Sequence, residues 1–467
     1  MDDDRDRQLV RIKAFRKLLV DRLGVEAWAA RRDAYKARVR EREAWINPQL
    51  PIETQLFEPA ENDIDWYILV AELAFDVQES DAAYSSKRIY PYLQAIGAVA
   101  DQLRSIPHVG AVLDKMLANN NKPETQIFEL LTACFYLRNG YEVSFLPEMS
   151  ITWPDGKTKK TPDLLVKSSG AEFYVECKRA DKQTRYSQAE ERAWDSIWDE
   201  LSKHMLAVCP WSTIDLTFHD QVADVTGAEV INVVDLALKD DSGRAKAGSV
   251  SAQLRSVDKE KLDAHYRRFW VRPNCPQHEL LVFGDLNSNE KRSIATIPKS
   301  IMRHGSLDSI LNIFVEDVAN CVGAQWRCDH EVSLDLRSRH FKGLFNDACQ
   351  QIPPDKMGVV HIFFETREGI KVEQLRRVKN LANIAEYDAS GSTVLGVLMH
   401  GVNYYPLENG YEWAETPQDF SRHEDFMNLF PNQTLMLAWG DTPEVEGETH
   451  WEQDAALRSS PSDKPES

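Results

Sequence analysis

No apolar run in the 467 residues approaches the ~18 needed to cross a bilayer, so no membrane-spanning helix is expected. The first residues, MDDDRDRQLVRIK, also lack the apolar stretch of a secretory signal, and the expected location is cytoplasmic. Cysteine is scarce and odd in number, seven between Cys134 and Cys349, which argues against a disulfide framework and for reduced thiols, mostly in the core. Cys321, Cys328 and His330 are poorly spaced for structural zinc, with no second tight pair beside them. There is no G-x-x-x-x-G-K-[ST] loop and hence no sign of a built-in ATPase. Positive charge is in deficit: 55 Lys and Arg against 74 Asp and Glu give a net charge of -19. That balance argues against a surface coated for nonspecific nucleic-acid binding but leaves room for a local basic groove.

What is present is the composition of a folded protein, 43% hydrophobic with 12 Trp, in a chain long enough for two or three domains. Charge is segregated. Residues 11–43 hold eleven Lys or Arg against five acids, while residues 441–467 hold eight acids against two bases. Residues 1–118 read as a helical region, with Leu9, Ile12, Phe15, Leu19 and Leu23 at helical spacing. A second unit spans 119–222, in the order helix, three strands, helix, strand, ending in the strand STIDLTF (212–218). Residues 223–440 read as an α+β portion, with strands at ELLVFGDL, GVVHIFFE and STVLGVLMHG and helices near 306–322 and 370–387. In the last of these, Leu375, Val378, Leu381 and Ala385 form an apolar stripe expected to pack, leaving Lys371, Arg376, Arg377 and Lys379 solvated. The tail 441–467 is expected to be disordered.

Residues 161–179, TPDLLVKSSGAEFYVECKR, contain two short apolar-rich runs joined at Ser169–Gly170, a turn for which glycine's tolerance of positive φ is suitable. Antiparallel pairing about that turn sets Lys167 against Glu172, Leu165 against Tyr174 and Asp163 against Glu176. Lys178 falls on the same face. Leu164, Val166, Phe173, Val175 and Cys177 fill the other. Like charges directly opposed across a sheet are destabilising, so Asp163 against Glu176 needs a reason, and a divalent cation such as Mg²⁺ or Mn²⁺ would supply one. Glu129 lies inside the apolar IFELLTACF, on a helical face with Thr125, Thr132 and Tyr136, and could aim at the same cation. Lys157, Lys159 and Lys160 before the hairpin, and Arg179, Lys182 and Arg185 after it, could neutralise phosphates; of these Lys159, Lys160, Arg179 and Lys182 are the nucleic-acid contacts expected.

Pro162–Asp163, twelve intervening residues and then Glu176–Cys177–Lys178 resemble the signature of the PD-(D/E)XK nuclease superfamily, and the order of elements over residues 120–220 resembles its αβββαβ core. The Gln-x-x-x-Tyr motif of RecB-type members is not matched. The resemblance implies an α/β (α+β) fold with a restriction-endonuclease-like core, flanked by the helical N-terminal region and the C-terminal α+β portion. It implies a metal-dependent phosphodiesterase acting on nucleic acid, DNA rather than RNA, in restriction or anti-phage defence. Asp163, Glu176 and Glu129 would bind Mg²⁺ or Mn²⁺, and Lys178 would assist the nucleophile. The flanking regions would supply target recognition or subunit contacts in a homo-oligomer. The alternative is a catalytically inactive module that keeps the nuclease fold for binding or assembly.

Overall fold

The computed structural model describes residues 2–58, 63–74, 89–118, 122–181, 183–269, 271–286, 291–303, 313–339, 341–386, 392–407, 410–421, 423–438 and 447–459. Its first part is helical: α1 (Asp2–Leu23), α2 (Val25–Arg42), α3 (Ile64–Leu73), α4 (Tyr90–Gly97), α5 (Ala100–Arg104) and α6 (Val109–Leu117). Ile12, Phe15, Leu18 and Leu19 share one face of α1, and all are buried against α3 and α4. Gly97 lets α4 lie directly on α1, because a Cβ there would collide with the Arg11 carbonyl. The cationic surplus of residues 11–43 is partly matched by acids within the bundle. Arg16 and Arg32 meet Glu72 at 2.6 and 3.2 Å, Arg31 meets Asp65 at 2.5 Å, and Arg22 pairs with Asp114.

Two mixed sheets follow, giving an α+β architecture. The first has the order β1 (Glu142–Phe145), β2 (Leu164–Lys167), β3 (Glu172–Arg179), β9 (Gly358–Glu365), β10 (Val394–Leu407), β11 (Gly410–Ser421). β1, β2 and β3 are antiparallel neighbours, β9 runs parallel to both β3 and β10, and β11 returns antiparallel. The helix α7 (Pro123–Arg138) packs on one face through Phe128, Leu131 and Phe135, in one core with Leu164, Val166, Phe173 and Val175. The second sheet has the order β5 (Arg244–Ala247), β6 (Val250–Ser256), β4 (Ser212–Phe218), β8 (Ile313–Cys328), β7 (Lys291–Arg303). It is covered by α8 (Arg185–Val208) and α9 (Gly227–Lys239), with Trp194, Leu201 and Met205 against Ile214, Phe218 and Trp326. Two short helices, α10 (Lys259–Tyr266) and α11 (Pro276–Phe283), pack with Ile52 and Leu56 over β7 and β8. α12 (Glu331–Arg337), α13 (Lys342–Cys349) and α14 (Ile370–Ala385) complete the other face of the first sheet, where Phe341, Phe345 and Ala348 meet Val360, Ile362 and Phe364.

Several expectations are overturned. STIDLTF does not lie beside the hairpin; as β4 it pairs with β6 and β8 in the second sheet, and β9 takes the place next to β3. Every residue of β9 is buried, as a strand covered on both faces requires, whereas β4 exposes part of Asp215 and Thr217. The expected boundary at residue 222 therefore does not coincide with a sheet boundary, since strands within 142–179 and 358–421 share one sheet. ELLVFGDL is not a strand: most of it lies in α11, which starts at Pro276 and is closed by Gly284 in the left-handed conformation, φ 84°. The stretch expected as a helix near 306–322 is strand β8 from Ile313 onward. Its Val315, Val318 and Val322 are β-branched and buried, and Val322 lies between two partner strands.

Helix α14 is inverted relative to its expected orientation. Val378 is 64% exposed, with Leu375 and Leu381 also on the surface, while Val372, Glu373, Arg376 and Asn380 are buried. Arg376 pairs with Glu373, Lys379 with Asp335 at 2.7 Å, and Arg377 with Glu452 at 3.6 Å. The tail is not wholly disordered either. Residues His450–Ser459 form α15, anchored by buried Trp451 and by His450, whose ring nitrogens each lie 2.7 Å from a threonine hydroxyl, Thr366 and Thr416. Residues 441–446 and 460–467 lie outside the described residues. Among the described residues no helix is long and apolar enough to cross a membrane.

Candidate active site

The hairpin is built as its pairing pattern requires. Lys167 stands opposite Glu172, Leu165 opposite Tyr174 and Leu164 opposite Val175, which brings Asp163, one residue before β2, level with Glu176. The turn is made differently from the expectation: Gly170 does not use positive φ, and the Ser168 hydroxyl instead accepts from Gly170 N and Ala171 N at 3.4 and 3.2 Å. Asp163 is fixed by its own side chain, whose Oδ2 accepts from Cys177 N at 2.8 Å.

Glu176 is 1% exposed. Its Oε1 accepts from Lys178 Nζ at 2.6 Å, while Oε2 is buried with no hydrogen-bond partner among the described residues. Burial pushes its carboxyl up to about 8, and the charge of Asp163 adds to that effect against the opposing pull of Lys178 and Lys160. Asp163 is raised by burial too, opposed by the Cys177 amide and by Lys178, Lys160 and Lys115. Glu129 reaches the same neighbourhood from α7. Burial, and then the charges of Asp163 and Glu176, push it up to about 8, while Lys115 and Gln126 act the other way. Three acids from three elements thus feel one another in a poorly solvated place.

The donor set is all carboxylate oxygen, which suits Mg²⁺ or Mn²⁺. Among the described residues no group of three or more His, Cys, Asp or Glu side chains is gathered tightly enough to hold a metal ion as arranged here. The opposed pair Asp163 and Glu176, with its orphaned oxygen, is what fits a hydrated cation, since Mg²⁺ takes one or two carboxylates and keeps several waters. Glu129 stands as the outer acid.

Of the other residues of the polar stripe on α7, Thr125 is exposed, and Thr132 and Tyr136 have structural partners. Thr132 Oγ1 donates to Phe128 O at 2.9 Å, and Tyr136 OH lies 2.8 Å from His361 Nε2 in a buried chain that continues through His400 to Glu415.

The basic residues divide. Lys160 is exposed, and its charge reaches both hairpin acids. Lys159 lies 4.0 Å from the Trp153 ring centroid and 3.3 Å from Asp155, in its own loop. Arg179 does not join them: it lies, half-buried, on the α7 side of β3, where it pairs with Glu124 and lies 3.4 Å from Glu365. Alternation along the strand sends it to the face opposite Lys178. Glu124 is also gripped by Tyr67 of α3, so this cluster ties the helical bundle, α7 and two central strands together beside the site. Lys182 lies outside the described residues. Lys115 and Gln126 went unread in the sequence, because neither has a fixed spacing to the hairpin; the fold brings them in through α6 and α7.

No family model matches this chain, and neither a curated protein nor a solved structure does.

Proposed function

We propose that this chain is a divalent-cation-dependent nuclease hydrolysing phosphodiester bonds in nucleic acid, DNA in the first instance. The observation that carries the reading is Glu176: a buried carboxylate opposite a second acid, with one oxygen held by Lys178 and the other without a hydrogen-bond partner among the described residues. A helix, three antiparallel strands, then helix α13 and a parallel strand β9 beside β3 support a restriction-endonuclease-like core, with the stretch 183–339 inserted before its second helix. Asp163 and Glu176 would hold the cation, with Glu129 as the third acid. Bound there, Mg²⁺ or Mn²⁺ supplies Lewis-acid polarisation of the phosphate and offsets the charge that builds on it. Lys178 brings a fixed ammonium to the place where water attacks phosphorus and the bond to the leaving oxygen breaks, so that developing negative charge meets a donor already in position. Lys160 adds a second cation at the rim for the phosphate backbone.

The test is incubation of labelled duplex DNA, single-stranded DNA and RNA with Mg²⁺, Mn²⁺ or EDTA. Cleavage with either cation and none in EDTA is expected, falling on the order of 10²-fold or more in Asp163→Ala and in Lys178→Ala. Cleavage that survives both substitutions together would remove the hairpin from the chemistry. No cleavage of any substrate, together with no cation-dependent rise in melting temperature, would favour the non-catalytic binding module.

A further inference from the structure

A cavity of about 780 Å³ opens between α2, the segment 53–58, α8, the start of α11 and β7, and shares no residue with the carboxylate hairpin. Its size falls within the range of small-molecule sites. Three acids line it, and each has a protein partner, although Glu53 Oε1 accepts no hydrogen bond among the described residues. Glu53 accepts from Thr296 N at 2.9 Å and lies 3.3 Å from His278 Nε2; Glu279 is 2.7 Å from Arg292; Glu58 accepts from Asn274 Nδ2 at 3.1 Å.

The two cations of α2 that line it are engaged differently, and Arg38 lies 4.5 Å from the Tyr35 ring centroid. Arg42 Nη2 donates to the Thr54 carbonyl at 2.9 Å, and among the described residues it has no carboxylate partner. Arg38, one turn earlier on the same face, lies 3.5 Å from Asp63 with its side chain 57% exposed. The same lining includes Phe57 and Trp198. Trp198 is held in advance: it stacks on Trp194 with ring centroids 6.0 Å apart, and Trp194 Nε1 donates to Ser293 Oγ at 2.9 Å.

Two exposed guanidinium groups lining one cavity with a fixed indole are complementary to a ligand that carries phosphate at one end and a flat ring at the other. Guanidinium forks match phosphate oxygens, and an indole offers a stacking surface indifferent to which base it meets. We propose that this cavity binds a nucleotide, with phosphate on Arg38 and Arg42 and the base against Trp198. The nucleotide could arrive free or as part of a nucleic-acid strand; the shared chemistry is the same, and the site stands whether or not the hairpin cuts.

The test is isothermal titration of the full chain in EDTA with adenosine 5′-monophosphate, adenosine 5′-diphosphate and a 5′-phosphorylated tetradeoxynucleotide. At least one probe is expected to bind, with affinity reduced about tenfold or more in Arg42→Ala and in Trp198→Ala but not in Trp198→Phe, and with melting temperatures unchanged in Arg42→Ala. Binding of a mononucleotide assigns a free ligand, and binding of the tetranucleotide alone assigns a strand. No binding of any probe, or binding indifferent to both the Arg38→Ala/Arg42→Ala double substitution and Trp198→Ala, overturns the proposal.

Discussion

One Glu176 oxygen is held by a lysine and the other has no hydrogen-bond partner among the described residues, and that division has a consequence for pH. Its folded carboxyl titrates at about 8 rather than near 4.5, so between those values the folded chain holds a proton that the unfolded chain has released. Stability of the cation-free protein must then fall as pH rises through that interval, because the folded state binds more protons than the unfolded one. Glu129, raised to about 8 in the same way, adds to the fall. Melting temperatures measured in EDTA are expected to decline from pH 5 to pH 8, less steeply in Glu176→Gln, with Mn²⁺ restoring most of the loss at pH 8. A profile equally steep in the wild type and in Glu176→Gln would show that Glu176 is not the group responsible. At this scale the sequence was informative: a two-residue turn and the alternation of strand faces were enough to oppose Asp163 and Glu176. The same alternation, applied to Arg179, would have sent it away from Lys178 and into the wall with Glu124.

At the scale of elements the sequence was less transparent. Helix α14 carries an apolar stripe at helical spacing, which normally marks the packed side, yet Val378 is 64% exposed and Arg376 is 6% exposed. The stripe reports periodicity, not direction. Direction is set by partners remote in sequence: Glu373 beside Arg376, the Arg337 carbonyl that accepts from Arg376 at 3.4 Å, and Asn380, whose side chain accepts from Phe341 N at 2.9 Å. Two substitutions separate the orientations. Val378→Glu should change unfolding free energy by less than about 0.5 kcal/mol, as at an ordinary surface position, whereas Arg376→Ala should cost about 3 kcal/mol or more by leaving Glu373 buried without its partner. Denaturant melts giving the reverse ranking would restore the packed apolar stripe. Helix α11 and strand β8 were misread for a related reason: short apolar runs fit either structure, and only Pro276, Gly284 and the β-branched residues of β8 decide between them.

For the whole molecule, the consequential fact is that the sheet carrying the hairpin is completed from far along the chain. β9 lies beside β3 and buries both faces, and β10 and β11 follow it, while the intervening stretch builds the second sheet. Reading strands in chain order favours the nearest candidate, β4, and nothing local in STIDLTF signals that it pairs elsewhere. A fragment limited to residues 119–222 should therefore lack a central partner for β3 and show no cooperative thermal transition by circular dichroism. A sharp transition in that fragment would mean that β9 is dispensable. What unites these scales is the proposal that a divalent cation sits between the two opposed acids. Crystals soaked in Mn²⁺ and measured at the manganese edge should show an anomalous peak between Asp163 and Glu176 that disappears in Asp163→Ala. An empty hairpin in the wild type, at a Mn²⁺ concentration that supports or fails to support cleavage alike, would contradict it.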